Sequence, residues 1–450
     1  MRTFLENFFK LKENSSSVKI EILAGITTFM TMAYILIVNP TILSETGMDK
    51  GAVFTATAIS AFIATVIMAL TANYPFALAP GMGLNAYFAY TIVLGKGLSW
   101  QFALTAVLIE GIIFIILTFS NIREKIVNAI PLSLKNAVSA GIGLFIAFIG
   151  LFQSGLVTVG KGIPLTLGNL TSAEALLTIF GIFITLFLMI KKIPGGILLG
   201  MLITTLIAIP LHVAKVPSHI IGLPSSIEPV FFKFDFKNIF TFNMLVAVFA
   251  FLFVDLFDTV GTLVGVASKA DMLNEKGELP RARQALFSDA IGTTVGSILG
   301  TSTVTTFVES ATGVAEGGRT GLTALVTAIL FLVSLIFEPI FSIIPSCATA
   351  SALIVVGLFM ISNVVKIDFN DFTEGLPAFL AIIMMPLSYS IANGIVFGII
   401  SYTVIKFITG KGKQVSLVMY ILAIIFVWLF CCYSIFFLFF LLLTTITYLR

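Results

Sequence analysis

"IPLSLKNAVSAGIGLF" (130–145) and "IPSCATASALIVVGLF" (344–359) share Ile-Pro at one end and Gly-Leu-Phe at the other, offset by 214 residues. A pattern repeated at one offset marks an internal duplication. How the two copies are oriented depends on the solvent around the chain. Of 450 residues, 58% are hydrophobic and 10% charged, whereas soluble domains carry about 25% charge. No ordinary core absorbs that much apolar surface, so lipid must solvate most of the chain.

Apolar runs bounded by Gly, Pro and charge give candidate spans at 21–40, 51–72, 79–95, 100–119, 136–156, 172–190, 194–211, 242–267, 286–301, 303–316, 318–337, 346–362, 376–390 and 391–409. Crossing a ~30 Å hydrocarbon layer takes about 20 helical residues, so some of these are short. The first copy of the repeat opens the fifth span and the second opens the twelfth. An odd number of crossings between copies turns the second upside down, the inverted-repeat plan of many secondary transporters. The expected fold is therefore an all-α polytopic membrane protein of about 14 transmembrane helices in two inverted seven-helix repeats.

Basic residues set the orientation. Lys10, Lys12 and Lys19 precede the first span; Arg123, Lys125 and Lys135 follow the fourth, and Lys191 and Lys192 the sixth. Lys269, Lys276, Arg281 and Arg283 follow the eighth; Lys406, Lys411 and Lys413 close the fourteenth. With fourteen spans and a cytoplasmic N-terminus, all these clusters fall on one side, as the positive-inside rule requires. The 212–241 loop, with Lys215, Lys233 and Lys237, falls outside and is the exception. Residues 1–20 read as a cytoplasmic amphipathic lead-in without a signal-peptide core, and 414–449 carry no charge at all. The expected location is the cell's inner (plasma) membrane.

Several function classes are disfavoured. The net charge of +3 gives no nucleic-acid signal, and Cys347, Cys431 and Cys432 offer neither metal spacing nor a disulfide framework. No nucleophile–base pair or soluble catalytic domain points to an enzyme. His212 and His219 lie in the 212–241 loop, away from any candidate site.

Two spans read as broken. The third opens "PFALAPGMGLNAYFAY" (75–90), where Pro75, Pro80, Gly81 and Gly83 disfavour helix; the tenth opens "GTSTVTTFVESATG" (300–313), rich in β-branched residues up to Phe307. Irregular backbone at membrane depth is tolerated only when buried in protein or lining a cavity. Each break is expected to be an extended segment followed by a half-helix, whose N-terminus presents free N–H groups to a polar ligand.

Four polar residues are expected to converge there. Asp255 and Asp258, in "FLFVDLFDTVGTL" (251–263), share a helix face at i, i+3. Glu309 is placed one turn into the second half-helix, and Asn85 in the matching part of the third span. A carboxylate accepts parallel N–H bonds from an amidine-like edge and an Asn amide both gives and takes, which suits a flat heterocycle. A second carboxylate close by is a candidate proton carrier. Tyr87 and Phe307 could stack on the ligand or simply pack. Thr306-x-x-Glu309 also fits a capping box. Glu110 and Asp289 read as structural pairs or proton relays, and Glu316 and Arg319 as a cytoplasmic turn.

At these residues the chain resembles a known family. "EILAGITTFMTMAYILIVNP" (21–40), "FALAPGMGLNAYFAY" (76–90), "FVDLFDTVGTLVGVA" (253–267) and "TSTVTTFVESATGVAEGGRTGLTA" (301–324) are similar to the AzgA-like purine permeases, within the nucleobase:cation symporter-2 or nucleobase–ascorbate transporter superfamily. The resemblance implies short antiparallel strands in spans three and ten. It implies a core domain (21–119 and 242–337) and a gate domain (120–211 and 338–413), with 414–450 as a hydrophobic extension. It further implies import of hypoxanthine, guanine or adenine with protons and no other cofactor. Asn85, Asp255 and Glu309 would contact the base and Asp258 would serve coupling, with Tyr87, Thr306 and Phe307 in support. Which carboxylate holds the proton stays open, as does a homodimer. The alternative is a carrier of xanthine, uracil or another small anion or heterocycle on the same architecture; a passive channel is the rival of another class.

Overall fold

Proline opens both copies of the repeat. In the computed structural model, which describes residues 2–120, 129–160, 162–216, 219–270, 272–274 and 279–428, Pro131 and Pro345 occupy the N-cap positions of the helices Leu132–Gln153 and Ser346–Ile361. These two helices pack on each other. Their contact runs through the paired glycines: a Cβ on Gly143 would lie 2.7 Å from the Gly357 carbonyl oxygen, and one on Gly357 would lie 2.5 Å from that of Gly143. Only residues near a two-fold axis touch their own counterparts, so the motif read as a repeat marks the symmetry axis.

Nine helices among the described residues are long and apolar enough to cross a bilayer, and four further apolar helices have 10–17 residues. The expected count of fourteen therefore rests partly on short and broken elements. The helices 132–153, 173–190, 196–208, 346–361, 372–387 and 391–408 pack mainly among themselves; 18–32, 50–67, 100–120, 242–269, 282–299 and 321–334 form a second group. Ile116, Phe183, Leu206 and Phe407 are exposed, as a lipid-solvated chain requires. Cys347 is a buried free thiol; Cys431, Cys432 and most of the 414–450 extension lie outside the described residues.

The broken spans meet. β1 (Leu78–Pro80) pairs antiparallel with β4 (Val304–Thr306), in the register Leu78↔Thr306, Ala79↔Thr305, Pro80↔Val304. A second small hairpin joins β2 (Val157–Thr158) to β3 (Thr166–Leu167). Flanking bonds run from the Gly81 N–H to the Thr303 carbonyl and from the Phe307 N–H to the Ala77 carbonyl, 3.0 Å each. Pro80 fits because so small a sheet has only edge strands.

Two strands buried in a membrane protein leave outer edges that water cannot satisfy. Each edge is closed by one threonine of the preceding helix. Thr65 Oγ1 donates to the Leu78 carbonyl (3.0 Å) and accepts from the Leu78 N–H (2.9 Å). Thr293 Oγ1 does the same for Val304, at 3.0 and 3.3 Å. The device repeats in both halves of the molecule.

Candidate substrate site at the crossed strands

Each strand leads into a short helix, Met82–Ala86 after β1 and Ser310–Ala315 after β4, and the 242–269 helix packs against β4 and the 310–315 helix. Asn85 is fully buried. Its Oδ1 accepts a hydrogen bond from Ser302 Oγ, while its Nδ2 is buried with no partner among the described residues. A buried amide donor left unmade costs about 1–3 kcal/mol, so this group calls for an acceptor that the described residues do not supply.

Glu309 stands at the N-cap position, ahead of the 310–315 helix and not one turn into it. The expected capping box does not form: Glu309 makes no side-chain cap bond, and Thr306 Oγ1 is buried without a partner among the described residues. Tyr34 Oη donates to the Glu309 carboxylate, 2.6 Å from its Oε1. Tyr34 lies between the helices Val18–Met32 and Ile35–Ser44 and is 1% exposed. It is the site neighbour that the sequence reading missed. A lone tyrosine in "FMTMAYILIVNP" looks like any packed ring, and only the fold brings it across 275 residues to Glu309.

Asp255 and Asp258 share their helix face but not their surroundings. Asp258 is half-buried, with Thr305 Oγ1 of β4 at 3.5 Å, the outer limit for a hydrogen bond. Asp255 is completely buried. Thr259 Oγ1 lies 2.7 Å from Asp255 Oδ1 and 2.9 Å from Asp289 Oδ1. One hydroxyl has one hydrogen to give, so a proton on either carboxyl group lets this chain make both bonds. Asp289 thus joins Asp255, while Glu110 accepts from Thr303 Oγ1 (2.7 Å) next to β4.

Tyr87 and Phe307 are both nearly buried, and the Tyr87 ring meets Phe251 edge-on at 4.9 Å. Of the expected site residues, Asn85, Thr306, Phe307, Glu309 and Asp258 lie on or beside the strand pair. Glu309 and Asp258 are the part-exposed carboxylates, whereas Asp255 is fully buried and accepts from Thr259 Oγ1. Among the described residues no group of three or more His, Cys, Asp or Glu side chains is set to hold a metal ion.

A family model described as a permease family matches residues 19–397. A putative permease of Methanocaldococcus jannaschii is 51% identical over 94% of this chain and 97% of its own length. A guanine/hypoxanthine permease of Bacillus subtilis is 46% identical over 94% of this chain and 98% of its own. An adenine permease of Escherichia coli is 41% identical, covering 94% and 95%. Among solved structures, the transmembrane domain of a cyanobacterial bicarbonate transporter superposes with a TM-score of 0.64 at 18% identity, covering 84% of this chain and 97% of that one, a likeness of fold. The chain is a multi-pass membrane protein and belongs to this permease family, the nucleobase:cation symporter-2 group.

Proposed function

We propose that this protein is a nucleobase transporter that imports purines (hypoxanthine, guanine or adenine) together with protons, across the plasma membrane and with its N-terminus in the cytoplasm. The observation that carries the reading is the Asn85 Nδ2 left without a partner among the described residues beside the paired strands, with the Glu309 carboxylate following the partner strand. A donor and an acceptor on a dry floor suit a purine edge, which offers carbonyl or ring-nitrogen acceptors beside N–H donors. Relatives named as guanine/hypoxanthine and adenine permeases, of nearly the same length, support the substrate class.

In this reading Asn85, Glu309 and Asp255 contact the base. Asp258 serves coupling, and the Asp255–Thr259–Asp289 chain is where a proton is held. The two packing groups of helices act as core and gate; moving one against the other exposes the base to each side in turn. One proton moving down about 100 mV supplies about 2.3 kcal/mol. At ~1.4 kcal/mol per decade, that sustains roughly a forty- to fifty-fold gradient before any pH difference is added.

The test is uptake of labelled hypoxanthine into cells lacking their own purine permeases, with unlabelled guanine, adenine, xanthine and uracil as competitors. The reading expects competition by purines and loss of uphill accumulation on adding a protonophore. If no purine competes, the substrate class is wrong; accumulation indifferent to the protonophore removes the coupling.

A further inference from the structure

Glu309 follows a strand and precedes a six-residue helix to which its carboxylate gives no cap. Within its own segment the Glu309 backbone N–H is a partner of the carboxylate, and a second hold comes from outside. Tyr34 supplies that hold. At 2.6 Å the Tyr34 Oη to Glu309 Oε1 bond is at the short end of the O–H···O range, a length that suits a hydroxyl donating to a carboxylate. The supports of Tyr34 are independent of this bond. Thr31 and Thr312 hydroxyls meet at 3.0 Å, and a Cβ on Gly313 would come within 2.1 Å of Thr28 Oγ1, so the 18–32 helix already grips the 310–315 helix closely. The tyrosine hydroxyl is therefore not needed to dock that helix, and its effect falls on the carboxylate.

We infer that Tyr34 is a specificity-determining residue, holding Glu309 as an acceptor so that the site favours purines carrying a proton on N1 over adenine. The inference rests on the purine reading above. With Oε1 occupied by the tyrosine proton, Oε2 is left to accept from the ligand. Hypoxanthine and guanine carry N1–H, and guanine adds a neighbouring amino group, so they present donors along that edge. Adenine presents a bare N1 acceptor beside its amino group and leaves one carboxylate lone pair facing another. Adenine can give an ionised Glu309 an amino N–H only beside that N1 repulsion; a proton on Glu309 would relieve it, and a hydroxyl already donating to the carboxylate opposes that proton. Tyr34 is a positioning residue as well, acting through Glu309.

Tyr34→Phe keeps the ring and removes only the hydroxyl. Uptake of labelled hypoxanthine, with guanine and adenine as competitors, is measured for the wild type, Tyr34→Phe, Glu309→Gln and the double variant, each normalised to surface expression. Loss of one charge-assisted bond should raise the hypoxanthine KM about tenfold in Tyr34→Phe, with maximal rate within about twofold. The adenine inhibition constant should move by less than about threefold, so the preference narrows. On the Glu309→Gln background the same substitution should change the hypoxanthine KM less than about twofold, because its partner charge is already gone. Glu309→Gln alone should show the same narrowing and provides the readout if Tyr34→Phe does not reach the membrane. Equal losses for hypoxanthine and adenine, or an undiminished effect of Tyr34→Phe on the Glu309→Gln background, overturn the inference and leave Tyr34 as packing. A wild type that takes up no purine overturns the function reading and this inference with it.

Discussion

Replacing Gly143 or Gly357 with alanine forces apart the two helices that carry the repeat. The new methyl group at 143 would sit 2.6 Å from Met360 Cβ, 2.7 Å from the Gly357 carbonyl oxygen and 2.8 Å from the Ile361 nitrogen. At 357 it would meet the Gly143 carbonyl oxygen at 2.5 Å and Ala147 Cβ at 2.7 Å. Most of these neighbours are backbone and cannot rotate away, so the helices must separate. Overpacking of this kind costs about 1–3 kcal/mol. Once the helices have separated for one methyl, the second meets less resistance. The double variant should therefore fall short of the summed losses by about 0.5–2 kcal/mol. Gly261→Ala is the control: nothing lies within 4 Å of its Cβ, and it sits inside the 242–269 helix. There alanine should be neutral or stabilising by about 0.4–1 kcal/mol. Thermal unfolding of the purified protein in one detergent at a fixed scan rate reads all four variants. Single losses equal to the Gly261→Ala control, or a strictly additive double, would refute a symmetry contact at these glycines.

Other expectations follow from single groups. Glu21 is buried and accepts from the Arg319, Thr320 and Thr323 N–H groups and, at 2.6 Å, from Thr323 Oγ1. Glu21→Ala strands these donors and should cost about 3 kcal/mol or more; a fall in stability below about 0.5 kcal/mol would contradict that. Thr65→Val and Thr293→Val should each destabilise by about 1–3 kcal/mol by orphaning one strand residue, and a clear inequality would break the equivalence of the two strand edges. Asp258→Asn should reduce uphill accumulation more than equilibrium binding of hypoxanthine to purified protein; equal losses in both would merge the coupling and binding roles.

The fold was legible where the sequence repeats itself. Ile-Pro and Gly-Leu-Phe predicted an inverted duplication, and the meeting of Gly143 with Gly357 gives that motif its reason. The breaks at Pro80–Gly81 and Val304–Thr306 were legible because proline, glycine and β-branched runs disfavour helix. Their antiparallel pairing came from the family resemblance. What stayed hidden was cross-chain chemistry. The Tyr34–Glu309 bond joins residues with no local signal. The capping box failed because Thr306 was drawn into β4, leaving Glu309 at the helix N-cap. Spacing placed Asp255 and Asp258 on one face, but their neighbours, Thr259 with Asp289 and Thr305, set their burial apart.

The most direct measurement is an experimental density map of the purified protein saturated with hypoxanthine. A flat ligand is expected beside the β1–β4 pair, with Asn85 Nδ2 and a Glu309 oxygen each within hydrogen-bond distance of its edge. Density for the base elsewhere, with Asn85 and Glu309 touching only protein, would contradict that.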